Sequence, residues 1–194
     1  MMKKDEVLAF LNSKISNKNI IKHMVATWAM MGGVYDYLSL KGKDDLGGTK
    51  EEWQMTGLLH DGDYREEVPM ERQGIQVSED LKKEGFDVPG NVTHAMAAHN
   101  KATGVQPESL MDWAIFCGDS LTGLIVATAL ILPNKKLAEV TPERVLRRFK
   151  EKSFAKGTRR EEIVLCEEKL SLPLVEFVKI SLTAMQEISN ELGL

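Results

Sequence analysis

The chain is short of several things that would have directed it elsewhere. Histidine occurs only four times, at positions 23, 60, 94 and 99, so any imidazole chemistry must come from the first hundred residues. The two cysteines, Cys117 and Cys166, lack C-x-x-C spacing and lie in apolar or helical surroundings. That excludes a disulfide framework and reads as a pair of reduced, buried thiols. Long hydrophobic runs are missing too. The longest, Leu121 to Leu132, carries two threonines and a glycine and stops at Pro133, which suits a buried helix better than a membrane span. The apolar run Val7 to Leu11 is too short for a signal-peptide core, so the cytoplasm is the expected compartment. There is no Walker loop, no G-x-G-x-x-G and no G-x-S-x-G elbow. A formal charge of −4 gives no global signal for a nucleic-acid or membrane partner.

What remains is helical. Apolar residues recur at helical spacing, alternation over a strand length is scarce, and glycine and proline cluster into a few interruptions. The pattern predicts an all-α fold, with helices over about 4–13, 19–40, 50–60, 71–85, 90–99, 108–131, 142–155, 160–169 and 172–192. Asn17 and Thr49 are suited to cap the second and third of these, and Thr141-Pro142-Glu143 is a cap followed by proline at the first helical position. The 194 residues suit one domain, a core over roughly 19–132 with a C-terminal helical extension over 133–194. The last helix has apolar residues at 174, 175, 178, 182 and 185, with the small Ser181 among them, a stripe that can bury on its own core or on a twin subunit in a homo-oligomer.

The most informative residues are the adjacent pair His60-Asp61, which ends the hydrophobic stretch from Trp53 to Leu59 and precedes the turn-forming Gly62-Asp63. An imidazole and a carboxylate at the end of an apolar segment are two donors suited to a divalent metal. His23 shares a helix face with Thr27, Met30 and Val34, so it is either a ligand or a satisfied core histidine. Asp119 lies in an apolar sequence, where a carboxylate costs several kcal/mol unless paired or bound to metal. Its alternatives are metal ligation and a salt bridge to a lysine or arginine of the C-terminal extension. His94 and His99, five residues apart, would point roughly 140° from each other on one helix, so at most one can face a common centre.

The order His23, His60-Asp61, Asp119 resembles the H...HD...D signature of the HD-domain metal-dependent phosphohydrolases. Further segments resemble successive blocks of the HDIG-type subgroup: Leu58 to Tyr64, His99 to Gly104, and Asp119 to Leu124. The resemblance implies that His23, His60, Asp61 and Asp119 hold one divalent ion, for which mixed imidazole and carboxylate donors allow Zn, Mn, Fe, Co or Ni. It also implies hydrolysis of a phosphomonoester or phosphodiester, with a small phosphorylated substrate, a nucleotide by the resemblance alone, as partner. Asp61 would orient the attacking water and His99 would act as general acid or phosphate contact. Where two-metal members carry another histidine, alignment on Leu81 and Gly85 places Gln73, so a mononuclear site is expected.

Asp63 and Arg65, just after the pair, are candidate substrate contacts, although Asp63 could instead cap the following turn. Arg144 to Arg160 contains eight Lys or Arg and one acidic residue, Glu151. From it Lys152, Lys156 or Arg159 could supply charge to a phosphate, against the alternative of a solvated helix face. No aromatic platform for single-stranded nucleic acid accompanies it. The rival function is a non-catalytic helical module that keeps a structural or vestigial metal and binds a ligand or partner.

Overall fold

The computed structural model describes residues 2–194 and contains no strand among them. The helices are α1 (Lys4–Lys14), α2 (Lys18–Leu40), α3 (Lys50–Leu59), α4 (Gln76–Lys83), α5 (Gly90–Ala98), α6 (Leu110–Leu130), α7 (Pro142–Lys150), α8 (Arg160–Ile163), α9 (Cys166–Lys169), α10 (Leu174–Glu187) and α11 (Ser189–Leu192). Their starts follow the capping chemistry. Asn17 accepts from the Asn19 N–H at 3.0 Å. Thr49 and Glu52 form a reciprocal capping box, and Ser109 and Asp112 form another. Thr141 caps α7 ahead of Pro142.

The bundle is organised around α2 and α6. α2 packs against α3, α6 and α10, and α6 also receives α5, α7 and α8. α6 is long and apolar enough to cross a membrane, but most of it is buried inside the bundle. α10 places Phe177, Val178, Leu182 and Met185 in the chain's own core and leaves Val175 exposed. Residues from α1 to α11 belong to one continuous apolar core. Cys117 and Cys166 are buried and unpaired, and burial pushes the Cys166 thiol up to about 12.

Four predicted helices come out shorter or broken. The segment expected to be helical from 71 begins at Gln76, because a 3-10 turn over Met70–Arg72 leads into Gly74 at φ +91°. α7 stops at Lys150 rather than 155. There the Arg160 guanidinium donates to the carbonyls of Phe149 (2.7 Å), Glu151 (3.1 Å) and Phe154 (2.6 Å), drawing the chain out of the helix and folding 151–158 back on itself. The 160–169 segment divides into α8 and α9, and the last helix breaks at Ile188.

Candidate metal centre

Three imidazoles are delivered to one point by two kinds of local structure. His60 follows the last residue of α3 and donates from Nδ1 to the Gly57 carbonyl at 2.9 Å. His99 stands in the same relation to α5 and donates from Nδ1 to the Met96 carbonyl. Each ring folds back on a carbonyl of the final turn, a group that has no partner within the helix, and each Nε2 therefore points away from its own helix. His23 reaches the same point from inside α2. Its Nδ1 lies 3.2 Å from the Thr122 hydroxyl, which donates its own proton to the Asp119 carbonyl at 2.8 Å and so is left to accept. All three rings thus hold a proton on Nδ1 and turn Nε2 inward, the tautomer that suits a metal ligand. The Nε2 atoms of His23 and His60 are 3.2 Å apart, and a shared cation or a proton must lie against them.

Gly57 makes this meeting possible. A Cβ at that position would lie 2.7 Å from the Thr27 carbonyl oxygen and 2.9 Å from the Trp28 nitrogen, both backbone atoms of α2. Without a side chain α3 presses directly on α2, and the same residue supplies the carbonyl that orients His60.

The carboxylates complete the cluster. Asp61 Oδ2 lies 3.7 Å from His23 Nε2 and 3.6 Å from His60 Nε2, while its Oδ1 faces His99 Nε2 at 3.5 Å. Asp119 Oδ1 lies 2.9 Å from His23 Nε2 and 3.7 Å from His60 Nε2. Its Oδ2 pairs with Arg159, so both alternatives for Asp119 are met at once, one by each oxygen. Ligands bonded to one ion at roughly 2.0–2.2 Å stand about 2.9–3.6 Å apart at octahedral or tetrahedral angles. The observed separations of 2.9 to 3.7 Å fit that requirement, and this donor set could hold a metal ion. His60, His99 and Asp119 also bring one donor each within 4.8 Å of one another.

Electrostatics follow the geometry. Burial alone would raise the Asp61 carboxyl, but the neighbouring His60 and His99 outweigh it and hold it at about 2. Asp119 is held well below its usual range by His23 and His60, against burial. Burial lowers His23 and His99, but the Asp119 carboxylate beside the first and the Asp61 carboxylate beside the second carry both above the usual imidazole value. His23 and His99 therefore hold a proton more readily than free histidine does.

A cavity of about 620 Å³ opens on the cluster and is lined by Asp61, His99, Asp119 and Arg159. It shares Tyr64, Met70 and Gln73 with a larger groove of about 740 Å³. On the other side a cavity of about 350 Å³ touches His23, Asp119, Lys156 and Arg159.

Other predicted residues fall away from the centre. Asp63 is fully buried, with its oxygens accepting from the Gly74 and Val77 backbone N–H groups at 2.9 Å, so it is neither the expected substrate contact nor a cap of the turn that follows it, but a carboxylate that holds the start of α4. Arg65 pairs with Asp80 at 2.8 Å and Glu67 at 2.9 Å on the wall of the larger groove. Lys152 is exposed and lines none of these three cavities, whereas Lys156 does. His94 points elsewhere and meets Asp112 at 3.0 Å. Gln73 does line the cavity, and its side chain donates to the Val68 carbonyl at 3.4 Å. Sequence reasoning missed Thr122 and Glu162. Thr122 lies one turn after Asp119 and was open to inference as its helical neighbour, but Glu162 had no sequence signal. The chain matches no protein-family model, no curated protein and no solved structure.

Proposed function

We propose that this chain is an HD-type metal-dependent phosphohydrolase acting on a phosphomonoester or phosphodiester. The observation that carries the proposal is the convergence of inward-turned Nε2 atoms and two carboxylates at 2.9 to 3.7 Å on the floor of an open cavity. His23, His60, Asp61 and Asp119 would hold one divalent ion, with Zn, Mn, Fe, Co and Ni all compatible with these donors. When bound, such an ion acidifies a water molecule and neutralises phosphate oxygens.

The remaining chemistry belongs to the chain. Asp61 presents one oxygen to His23 and His60 and the other toward His99. It can thus orient a water by accepting its hydrogen bond. His99, buried and inclined to hold a proton beside Asp61, is suited to donate from Nε2 to the leaving oxygen. Thr122, Gly57 and Met96 fix the rings through Nδ1. A structural site would be closed by its ligands, whereas the cavity on Asp61, His99 and Asp119 leaves access to them, which favours catalysis over a vestigial metal. The preference for a nucleotide rests on the family resemblance. The test is a screen of phosphomonoesters, phosphodiesters and nucleotides with added Mn, Co, Ni or Mg, run beside Asp61→Ala. Turnover is expected with the parent chain only; equal turnover by the variant, or none by the parent, would refute the assignment.

A further inference from the structure

Arg159 reaches Asp119 from a segment far along the chain, and the way it is held suggests more than a salt bridge. Its backbone N–H donates to the Ser120 hydroxyl at 3.3 Å, and its Nε donates to Glu162 Oε2 at 2.5 Å. One Nη2 proton goes to Asp119 Oδ2. A guanidinium has five N–H donors, so three remain without a protein partner among the described residues. The side chain is 43% exposed and forms wall in both the 620 Å³ and the 350 Å³ cavities. Glu162, by contrast, is 2% exposed, a buried carboxylate that lies beyond the ligand set. Its other oxygen, Oε1, holds the ammonium of Lys101 at 2.9 Å. Lys101 sits in the 3-10 turn that directly follows His99, and it lines the same cavity. One buried carboxylate therefore anchors two cations, from separate segments of the chain, on one rim.

The charges around that rim bear on what the two cations meet. Asp61, Asp119 and Glu162 face Arg159 and Lys101 around the cavity, an excess of one negative charge that a proton on His99 would cancel, and in either state a single divalent ion makes the sum positive. With the ion bound the cavity attracts an oxyanion, and the unpaired edge of a planar guanidinium matches two phosphate oxygens. We propose that Arg159 and Lys101 form an oxyanion clamp that grips the ligand's phosphate at the rim of the metal centre, with Glu162 as the positioning residue for both. This rests on the phosphoester reading above. The C-terminal extension thereby becomes part of the binding site, since Arg160 folds 151–158 into the loop that presents Arg159.

The experiment is calorimetric titration of inorganic phosphate into the Mn-loaded full-length chain, with metal content measured in parallel. Arg159→Gln is expected to weaken phosphate binding about 10- to 100-fold, the loss of a charge-assisted pair. Arg159→Lys should recover part of it, because charge remains but the fork does not, and Lys101→Met should cost less than Arg159→Gln. Glu162→Gln is expected to weaken phosphate with metal content unchanged; if that variant melts early, the Arg159→Lys and Lys101→Met titrations decide. Undiminished phosphate binding by Arg159→Gln overturns the clamp. So does a parallel loss of metal and phosphate, which would make Arg159 only a support for Asp119, and so does a wild type that binds no phosphate. If the wild type hydrolyses no ester yet binds phosphate through Arg159, the clamp stands and the hydrolase assignment fails. If it turns over an ester while phosphate binding is indifferent to Arg159, the hydrolase assignment stands and the clamp fails.

Discussion

At the scale of single residues, the centre depends on which nitrogen of each imidazole carries the proton. Two rings settle this through backbone carbonyls, Gly57 for His60 and Met96 for His99, which no side-chain substitution can remove. His23 depends instead on the Thr122 hydroxyl. Thr122→Val is therefore expected to weaken metal affinity about 10- to 100-fold, the range found for lost partners of ligating histidines, with little change in shape. Thr122→Ser should restore most of it. Competition titration against a metal indicator would measure both, and equal affinity in Thr122→Val would show that His23 needs no partner. The charged residues that share the centre divide by role in the same way. Asp61 and Asp119 turn oxygens toward the imidazoles, whereas Asp63, two residues from Asp61, is consumed by backbone N–H groups.

At the scale of elements, the contact between α2 and α3 sets the distance from His23 to His60. Gly57→Ala would place a methyl group 2.7 Å from the Thr27 carbonyl oxygen, and because that atom is backbone the helices must separate. A loss of about 1–3 kcal/mol is expected, as for overpacking generally, together with weaker metal binding. Gly123→Ala makes the useful contrast. Its Cβ would meet nothing within 4 Å on α6, so a gain of roughly 0.5–1 kcal/mol is expected from helix propensity alone. Denaturant melts of the two variants check this, and a Gly57→Ala protein as stable as its parent would mean that α2 and α3 are not so tightly joined. Much at this scale was legible in the sequence. The long helices α2 and α6 announce themselves by period and caps, and the ends at Gly42 and Gly85 by their left-handed glycines. The breaks were not legible, because their causes are distant in sequence. The Asp63 carboxylate shapes the turn at Gly74 eleven residues away, and Arg160 ends α7 from beyond its C-terminus.

At the scale of the whole molecule, His23, His60, Asp61 and Asp119 stand in an order that resembles a known signature. The Arg159 pairing with Asp119, forty residues apart, was only one of two alternatives until the bundle brought α6 and the α8 entry together. Glu162 could not be found at all, since a lone carboxylate in a charged stretch gains meaning only from its burial. The His and Asp cluster also gives the molecule a pH signature. His23 and His99 have raised folded values, so their stabilising contribution is fully present below the unfolded value of 6.5 and is lost as pH rises through the higher folded values. Asp61 is lowered to about 2 and Asp119 well below its usual range, so theirs is present above 3.8 and is lost as pH falls through the lowered folded values. The metal-free chain is thus expected to lose melting temperature from pH 6.5 upward. The metal-loaded chain should gain over the same interval, because ligation requires neutral imidazoles. Parallel melting curves with and without chelator check the opposite slopes, and identical slopes would contradict them. The most direct measurement of the central claim is metal stoichiometry by elemental analysis after equilibration with Mn, Co, Ni or Zn and desalting, for the parent chain, His60→Ala and Asp61→Ala. One ion per chain in the parent and none in either variant is the expected result. No ion in the parent, retention by the variants, or two tightly held ions per chain would contradict it.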